Sequence, residues 1–492
     1  MPPFDLAIVA AYLVLTLGVG LWVARRQKTS GDYFLGARDL PALAVLLSIV
    51  ATETSALTVI SVPGLGARGE FGFLQLAFGY LLGRIGVAIW LLPGYFRGEQ
   101  ETAYARLESR FGPGTRRLLS ATFLVTRFLA DGVRVFAGAI PLALVTGWSV
   151  PIAILLMGGI TLVYTWLGGL KAVIWADVIQ LVIYLSGGVV ALAIAWSLAG
   201  GPEVALARAA EAGKLRIVNA ELSLTSTYTL LGGLVGGALL SAASHGTDQL
   251  IVQRLLATRS LRDARLALVG SGGVVIGQFL LFLLVGSAIW AAGRAPEDLL
   301  PDMIFPRFIL EQLPIGVRGL MIAGILAAAM STISSSINAL ASSVTYDFYA
   351  PRTGRSEPAH LLRVGRLVSG LWGVGLTVAA LGFAGSARRM DTPVVVLALS
   401  IASITYGALL GTYILAAKWS PAAGRDVVVA ATVSMVVMLV VVFARPLAEA
   451  GLGWLAPVGR LAWPWYVPLG TALTVGVGLT LSVARRRTEI AI

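Results

Sequence analysis

The sequence predicts an all-α polytopic membrane protein. Hydrophobic residues make up 57% of the 492 residues and charged residues 13%, whereas charged residues make up about 25% of a typical soluble domain. The mean hydropathy is +0.85. Apolar windows of about 20 residues, the length that an α-helix needs to cross a bilayer, recur along the whole chain. These observations predict a single membrane domain over residues 1–492.

About thirteen transmembrane helices are expected from these windows. An odd number of spans places the two termini on opposite faces of the membrane. The predicted spans are 5–22, 40–66, 71–93, 118–146, 151–166, 172–198, 227–252, 267–291, 317–349, 364–383, 392–417, 427–443 and 465–484. The longest polar connections, 200–226 and 293–316, fall on the predicted outer side.

The net charge of +12 is explained by short basic loops at alternate helix ends rather than by nucleic-acid binding. This asymmetry predicts a cell (inner) membrane protein with its N-terminus outside and its C-terminus in the cytoplasm. Asp5 precedes the first span and Arg25 follows it, so we expect a retained span and not a cleaved signal peptide. The basic residues are Arg25, Arg26 and Lys28; Arg116 and Arg117; Arg254, Arg259, Arg262 and Arg265; Arg352 and Arg355; and Arg485 to Arg487.

The side-chain inventory argues against an enzyme. The chain has no cysteine and two histidines, His245 and His360, which excludes disulfides, thiolate metal sites and a His-based zinc site. No Ser/His/Asp spacing or phosphate-binding glycine loop is found, so no catalytic residue is predicted. A channel or a sodium-sensing receptor would show charged rings or an appended signalling domain, and neither is expected here.

Two predicted spans are interrupted by polar residues. The second contains Ala-Thr-Glu-Thr-Ser at 51–55, and the seventh contains Ser-Ala-Ala-Ser-His-Gly-Thr-Asp-Gln at 241–249. Broken helices present backbone groups at mid-membrane, and transporters bind substrate where two such breaks meet in inverted repeats. In the predicted topology the two spans run in opposite directions, and each opens a group of five helices. The expected repeats are about 40–199 and 227–417, with peripheral helices at about 5–24, 427–443 and 465–484.

Acids at the two breaks are candidate substrate-binding residues. A charge at mid-bilayer costs at least about 2.5 kcal/mol, so Glu53 and Asp248 are expected to be functional. Ser55 joins Glu53 at the first break. The alternative for Asp248 is a place near the cytoplasmic end of its span, where it is solvated or paired with Arg254.

The ninth span carries a polar stripe. Ala328, Ser331, Thr332 and Ser335 follow the spacing i, i+3, i+4, i+7 of one helix face, with Ser334 and Ser336 beside it. Hydroxyls on such a face, together with carbonyls freed at the first break, would suit a hard cation such as sodium. Alternatively, these hydroxyls bond their own helix or allow close packing.

Three charged residues share a face of the fourth span, and one acid begins the sixth. Arg127, Asp131 and Arg134 fall at i, i+4, i+7, so one arginine exceeds the acid available on that face. That arginine either meets an anionic group of a substrate or belongs to a structural ion network, whereas Arg84 is interpreted as structural. Asp177 either completes a second cation site or caps a helix start.

Several stretches resemble the sodium:solute symporter family, which includes the sodium/glucose, sodium/proline, sodium/sialic acid and sodium/monocarboxylate cotransporters. The resemblance covers nearly the whole chain. Its most specific part runs through Gly-Leu-Met at 319–321, Ala-Ala-Ala-Met-Ser-Thr at 327–332, Asn338 and Thr-Tyr-Asp-Phe-Tyr at 345–349. Supporting stretches are 31–36, 168–173, 177–180, Asp248 and Gln249, Gln253 and Arg254, and Tyr406 and Gly407.

The resemblance implies a leucine-transporter-type fold with a 5+5 inverted repeat and sodium symport by alternating access. It implies a shared sodium site with backbone carbonyls of Ala51, Thr54 and Ala328 and the hydroxyls of Ser331 and Thr332. Some members bind a further sodium, so one or two ions are expected. The matching positions for that second sodium are Asp177, Ser331, Ser334 and Ser335.

The resemblance also bears on the solute. Glu53 resembles the proline-type members, whereas Asp248 replaces an asparagine expected in the sugar type. An amino acid or a small carboxylate is therefore favoured, with a sugar second, and a proton-coupled transporter on the same fold is the alternative because Glu53 and Asp177 could titrate. A functional monomer with a lipid bilayer, sodium and a small solute as partners is expected. The predicted substrate-binding residues are Glu53, Ser55, Arg127, Asp131, Arg134, Asp248 and Tyr406.

Overall fold

The computed structural model describes residues 2–25, 27–98, 100–386, 394–419 and 421–491. Within those ranges the regular structure is helical, and one isolated bridge between Leu40 and Thr258 is the only β-type pairing. The all-α prediction is therefore confirmed. The predicted start of the eleventh span at residue 392 lies outside the described residues.

The first half of the chain builds a long array of helices. They are α1 (Pro3–Ala24), α2 (Ser30–Leu35), α3 (Ala42–Glu53), α4 (Ala56–Arg68), α5 (Leu74–Trp90), α6 (Leu92–Tyr95), α7 (Ala105–Phe111), α8 (Pro113–Thr146), α9 (Val150–Leu198) and α10 (Pro202–Glu211). Short 3₁₀ turns lie at Gly36–Arg38 and Phe71–Phe73.

The second half continues in the same way. Its helices are α11 (Gly237–Gly246), α12 (Gln249–Leu256), α13 (Leu261–Ala291), α14 (Pro301–Gln312), α15 (Val317–Ser343), α16 (Ala350–Thr353), α17 (Pro358–Ser386), α18 (Val394–Lys418), α19 (Gly424–Val442), α20 (Ala444–Glu449) and α21 (Tyr466–Ala491). π-helical turns at Gly232–Gly236 and Val344–Tyr349 adjoin α11 and α15. Further 3₁₀ turns are at Gly453–Leu455, Val458–Arg460 and Trp463–Trp465.

The spans seen in the structure account for the predicted ones. By length and composition, ten of the described helices could each cross a membrane, and the bent pair α3 and α4 could form an eleventh span. α9 has 49 residues, about 74 Å at 1.5 Å per residue, which is more than twice the roughly 30 Å of a bilayer core. It therefore contains the predicted spans 151–166 and 172–198. The predicted seventh span is divided among the π-helical turn, α11 and α12, each too short to cross alone.

A glycine divides the two parts of α9. Gly169 has φ 54° and ψ −157°, a conformation that side chains with a Cβ rarely adopt. A Cβ at this position would lie 2.5 Å from the carbonyl oxygen of Tyr33, so the approach of α2 also requires glycine. The kink therefore depends on this one residue.

The two longest predicted connections contain helices that were not expected from the sequence. α10 lies in 200–226 and α14 in 293–316, and both begin with proline followed by an acid, Pro202–Glu203 and Pro301–Asp302. Helices of 10 and 12 residues escape a search with windows of about 20 apolar residues. α14 packs on α4 closely enough that a Cβ at Gly64 would lie 2.4 Å from the carbonyl oxygen of Pro301.

α15 lies at the centre of the molecule. In the most apolar 18-residue stretch of α15, 94% of the residues are buried. The corresponding share is 28% for α1, 39% for α19 and 33% for α21. α15 packs against α1, α3, α4, α8, α9, α12 and α17. The hydroxyl-rich segment of α15 is therefore surrounded by protein on every side, and both broken spans touch it.

Candidate functional site

The first break falls within the predicted segment. α3 ends at Glu53, α4 begins at Ala56, and the extended backbone of Thr54 and Ser55 joins them through a bend of 68°. The last carbonyls of a helix have no partner within the helix, so the end of α3 offers oxygen ligands inside the protein. The prediction of a broken second span is confirmed.

The second break separates α11 from α12 at Thr247 and Asp248. The carboxylate of Asp248 accepts a hydrogen bond of 2.9 Å from the backbone N–H of Leu250, so this acid caps the N-terminus of α12. α11 packs against α5 and α18, and α12 against α3 and α15. Both breaks thus face the middle of the same helix bundle.

A cavity of about 280 Å³ lies between the two breaks. Its volume is close to the lower end of the range for small-molecule pockets, about 300 Å³. Polar and charged residues from both breaks line it, and aromatic rings cover much of the remainder. The polar residues are Thr52, Glu53, Ser55, Thr58, Ser61, Arg127, Arg134, Ser241, Ser244, His245 and Thr332, and the aromatic ones are Phe73, Tyr80, Tyr228, Phe279, Tyr406 and Trp463.

Arg127 is paired with Asp248. Its Nε donates to Oδ2 of Asp248 at 3.0 Å, and its Nη2 donates to the same oxygen and to the hydroxyl of Tyr406 at 2.7 Å. Tyr406 in turn donates to Oδ2 of Asp248 at 2.9 Å. This buried group links α8, α12 and α18. The alternative pairing of Asp248 with Arg254 is wrong, because Arg127 holds the carboxylate.

Arg134 has donors that its acid partner does not use. Oδ1 of Asp131 accepts from Nη1 of Arg134 at 3.3 Å and from Nη1 of Arg127 at 3.5 Å, and Oδ2 accepts from Ser336. The predicted shared face of the fourth span is therefore confirmed. Asp131 is fully buried, whereas the side chain of Arg134 is 22% exposed and lines the cavity. Among the described residues, Arg134 donates to Asp131 alone.

Glu53 forms a second charged group at the cavity. Its carboxylate pairs with Arg84, and Nε2 of His245 lies 3.6 Å from it. Arg84 is fully buried and also donates to Ser271 at 2.6 Å, which ties α3 and α5 to α13. This placement agrees with the structural interpretation of Arg84. Glu53 keeps partial exposure to the cavity, with 18% of its side chain accessible.

The hydroxyls of α15 do not share one neighbour. Ser331 donates to Oδ1 of Asp177 at 2.6 Å, and Ser335 bonds Thr52 of α3 at 3.1 Å. Thr332 instead lines the cavity, and its hydroxyl donates to the carbonyl of Ala328 at 3.4 Å. These hydroxyls have different partners because α15 is central and every face of it contacts another helix. Ser334 donates to the carbonyl of Ser331 at 3.0 Å.

Asp177 is bound to an arginine. Its Oδ2 accepts from Ser48 at 2.5 Å and from Nη2 of Arg254 at 3.2 Å, and all three residues are fully buried. The charge pattern of the sequence predicts Arg254 in a basic loop at a helix end. This placement is wrong, because α12 turns Arg254 into the bundle and the acid of α9 neutralises its charge.

Four further polar residues of the site carry no role in the sequence analysis. Ser48 and Thr52 lie one turn apart on α3 and both bond Asp177. Gln278 of α13 donates to the hydroxyl of Thr54 at 2.7 Å and accepts from Tyr184 at 3.2 Å. The sequence contains a signal for Gln278, because a glutamine in the middle of an apolar span needs hydrogen-bond partners inside the protein.

This architecture defines a class of protein. Helices that cross a membrane, two interrupted spans and a polar cavity where the interruptions meet are the features of secondary transporters. The model of the sodium:solute symporter family matches residues 33–433, and the chain belongs to that family. The resemblance noted in the sequence is confirmed.

Two curated relatives are transporters of this family. The chain is 33% identical over 433 residues to the human sodium/iodide cotransporter, a match that covers 84% of the chain and 65% of the relative. The chain thus spans just under two thirds of that relative's length. It is 29% identical over 384 residues to the sodium/sialic acid symporter SiaT of Proteus mirabilis (strain HI4320), which covers 76% of the chain and 77% of the relative. The relatives are transporters and not enzymes.

The fold also matches a solved structure. The substrate-bound, outward-open state of a Na⁺-coupled sialic acid symporter superposes with a TM-score of 0.87 at 25% identity, covering 98% of both chains. That structure is described as revealing a novel Na⁺ site. The leucine-transporter-type fold predicted from the sequence is confirmed.

Proposed function

We propose that the chain is a secondary active transporter that couples sodium to the uptake of a small organic solute by alternating access. An amino acid or a carboxylate is favoured, and a sugar comes second. The cavity between the two breaks supports this proposal most strongly, because Arg134, which has unused donors, and Thr332 both line it. Iodide and sialic acid, the solutes in the names of the two relatives, are anions, which supports the same choice.

The first sodium is proposed to bind between the end of α3 and α15. Its ligands would be the carbonyls of Ala51, Thr54 and Ala328 and the hydroxyls of Ser331 and Thr332. A direct contact between α3 and α15 supports this site, because the hydroxyls of Thr52 and Ser335 lie 3.1 Å apart, and α8 packs against both the break and α15. A Cβ added to Gly138 of α8 would lie 3.3 Å from the Cβ of Ala329 and 3.4 Å from that of Ala56, so the break and the hydroxyl segment pack at one place.

The hydrogen bond of Ser331 is compatible with this site. Its hydroxyl donates to Asp177 at 2.6 Å, which uses its proton and leaves the oxygen lone pairs available. Sodium prefers several such hard oxygen ligands. The same bond links the first site to the second, for which we propose Asp177, Ser331, Ser334 and Ser335 as ligands.

The substrate-binding group is proposed to comprise residues with two different tasks. Arg134, Glu53, Ser55 and Tyr406 line the cavity and would contact the solute. Asp131 and Asp248 are buried against Arg127 and Arg134, so they would position the arginines instead of contacting the solute. We propose Arg134 as the arginine of the fourth span that is available to the solute, because Asp248 and Tyr406 already bond Arg127.

We propose one transport domain over residues 1–492, located in the cell membrane and functional as a monomer. Repeats of about 40–199 and 227–417 would each open with a broken span, α3 with α4 and α11 with α12. The N-terminus is proposed outside and the C-terminus in the cytoplasm. Bilayer lipid, sodium and the solute are its proposed partners, and no nucleic acid is.

Proton coupling is the second candidate. The 3.6 Å approach of His245 to Glu53 at the cavity favours it, because this pair could exchange a proton with the solute pathway. Sodium dependence measured at fixed pH separates the two functions. Sodium coupling requires a response to sodium, and proton coupling alone requires none.

The proposed function is tested by thermal stabilisation of purified protein in detergent. A panel of amino acids, monocarboxylates, sialic acid, iodide and sugars is scanned in sodium chloride and in choline chloride. We expect an anionic solute to stabilise the protein in sodium and not in choline. Stabilisation that is the same in both salts would contradict sodium coupling and favour the proton-coupled alternative.

Arg134→Gln is expected to weaken anion binding by about 10- to 100-fold, because a hydrogen bond to a charged group contributes about 1.5–3 kcal/mol. The titration uses the anion found in the stabilisation screen. Arg307→Gln removes the same charge from an exposed pair with Glu311 and serves as the control, with affinity unchanged. Equal affinities in the two variants would show that Arg134 does not contact the solute.

The sodium count is expected to appear in the response to membrane potential. Two sodium ions with one monovalent anion move one net charge, and 100 mV then contributes about 2.3 kcal/mol, roughly a 50-fold gradient. Asp177→Asn, made together with Arg254→Met so that no buried charge is left unpaired, should leave one sodium and make uptake electroneutral. Uptake into proteoliposomes at set potassium diffusion potentials measures this, with Asp426→Asn on the peripheral α19 as the control. A potential dependence that survives this double substitution would contradict the second site.

A further inference from the structure

The guanidinium of Arg254 occupies the position proposed for the second sodium. Its Nη2 donates to Oδ2 of Asp177 at 3.2 Å and to Ser335, and its Nε donates to Ser48 at 2.9 Å. Asp177 and Ser335 are two of the proposed sodium ligands. Arg254 is fully buried, as are Asp177, Ser335 and Ser48. The guanidinium and the sodium ion would therefore share two of the four proposed ligands, Asp177 and Ser335.

The charge balance of this cluster allows one cation at a time. With Arg254 in place, the buried pair with Asp177 is neutral. A sodium ion added beside it would bring two positive charges onto one carboxylate, where burial weakens the screening by water. Replacement of the guanidinium by sodium keeps the cluster neutral. Exchange is therefore favoured over simultaneous binding.

Arg254 also holds the inner half of the second broken span in place. α12 is attached to α15 by Gln249, which donates to Ser342 at 3.3 Å, and by Gln253, which donates to Asn338 at 2.8 Å. Arg254 adds the charged contact and extends it to α3 and α9 through Ser48 and Asp177. Four helices thus meet at one side chain.

We propose that Arg254 is an exchangeable resident cation of the second sodium site. Sodium and the Arg254 guanidinium compete for Asp177, and withdrawal of Arg254 both frees the site and loosens α12 from α3, α9 and α15. In the conformation described here, Arg254 keeps the cluster closed and neutral without sodium at that position. The proposal rests on the proposed sodium-coupled function and names a residue that sets its sodium affinity.

The first test is competition among cations. In Arg254→Ala the sodium concentration for half-maximal stabilisation, measured with the solute from the screen, should fall by about fivefold or more. Guanidinium chloride at millimolar concentration should refill the space and raise that sodium concentration again in Arg254→Ala, with no such effect on the wild type. An unchanged sodium dependence together with no effect of guanidinium would overturn the proposal.

The second test reports on α12 without sodium. Because the chain has no cysteine, the thiol introduced by Ser342→Cys is a single label site at the contact with Gln249. In choline buffer, Arg254→Ala should increase its labelling by maleimide about fivefold or more, and guanidinium should slow it again. Ser434→Cys, a buried position on α19, controls for general loosening and should stay slow. A labelling rate at Ser342→Cys that is the same with and without Arg254→Ala would overturn the proposal.

Arg254→Lys keeps the proposal testable if Arg254→Ala does not fold. It retains the charge and loses the planar fork that bonds several oxygens at once, so sodium should compete more easily and the half-maximal concentration should again fall. No change would overturn the proposal. The outcomes also separate it from the proposed function. If stabilisation of the wild type does not depend on sodium with any solute, symport is refuted. If stabilisation of the wild type depends on sodium but the Arg254 variants have the same sodium dependence, only the exchange is refuted.

Discussion

Asp248→Ala is expected to destabilise the protein by about 3–5 kcal/mol, because it removes the closest acid partner of the buried Arg127 and leaves only the 3.5 Å contact with Asp131, which Arg134 shares. Arg127 is 5% exposed, and two of its nitrogens donate to one oxygen of Asp248. The substitution also removes the cap of α12, which adds about 1 kcal/mol to the loss. Little folded protein should survive extraction, as measured by size-exclusion chromatography and thermal unfolding.

Two variants separate the pair from a general sensitivity to charge loss. Asp39→Ala removes an acid from an exposed pair with Arg259 and should cost less than about 1 kcal/mol. Combining Arg127→Met with Asp248→Asn removes both buried charges and should recover much of the folded protein lost in the single variant. An Asp248→Ala protein as stable as Asp39→Ala would contradict the pairing.

Thr332→Ala is expected to raise the sodium concentration needed for solute binding by about 100-fold or more. Loss of a residue that only supports a metal ligand costs roughly 10- to 100-fold in affinity, and Thr332 is proposed as a direct ligand. Its hydroxyl lines the cavity and bonds the carbonyl of Ala328, a second proposed ligand. Sodium titration of solute-induced stabilisation measures the shift.

Ser343→Ala is the matched control for Thr332→Ala. Ser343 lies on the same helix, is buried, and its hydroxyl has no hydrogen-bond partner among the described residues. Loss of that hydroxyl should leave sodium affinity unchanged. Comparable shifts in both variants would assign the effect of Thr332→Ala to packing of α15 and would contradict a ligand role.

Features that depend on local sequence were predictable. The break at Thr54 and Ser55 follows from polar residues inside an apolar span, because the backbone can leave the helix in a membrane only where protein or a cavity replaces lipid. The shared face of Arg127, Asp131 and Arg134 follows from helical spacing, and their ion pairs confirm it.

Features that depend on contacts between distant helices were not predictable from one sequence. Asp248 pairs with Arg127, which is 121 residues away in the sequence, and Asp177 pairs with Arg254, which is 77 residues away. Helical spacing identifies which residues share a face but not which face of another helix they meet. The basic-loop interpretation of Arg254 failed for this reason, since a count of charges near a span end cannot tell solvent from a buried acid.

Ser331 illustrates both cases. Its spacing from Ala328 and Ser335 identifies one side of α15. Its hydrogen bond to Asp177 depends on α9, which the kink at Gly169 directs against α15. A polar residue in an apolar span can therefore be recognised as a candidate site residue before its partner is known.

Sodium-driven uptake into proteoliposomes tests the central claim most directly. The anionic solute that stabilises the protein is supplied outside with an inward sodium gradient, and in parallel with choline replacing sodium at the same pH. Symport predicts accumulation above the outside concentration with sodium, none with choline, and loss of accumulation in Thr332→Ala. Uptake that proceeds equally in choline, or that follows a proton gradient in the absence of sodium, would contradict the account.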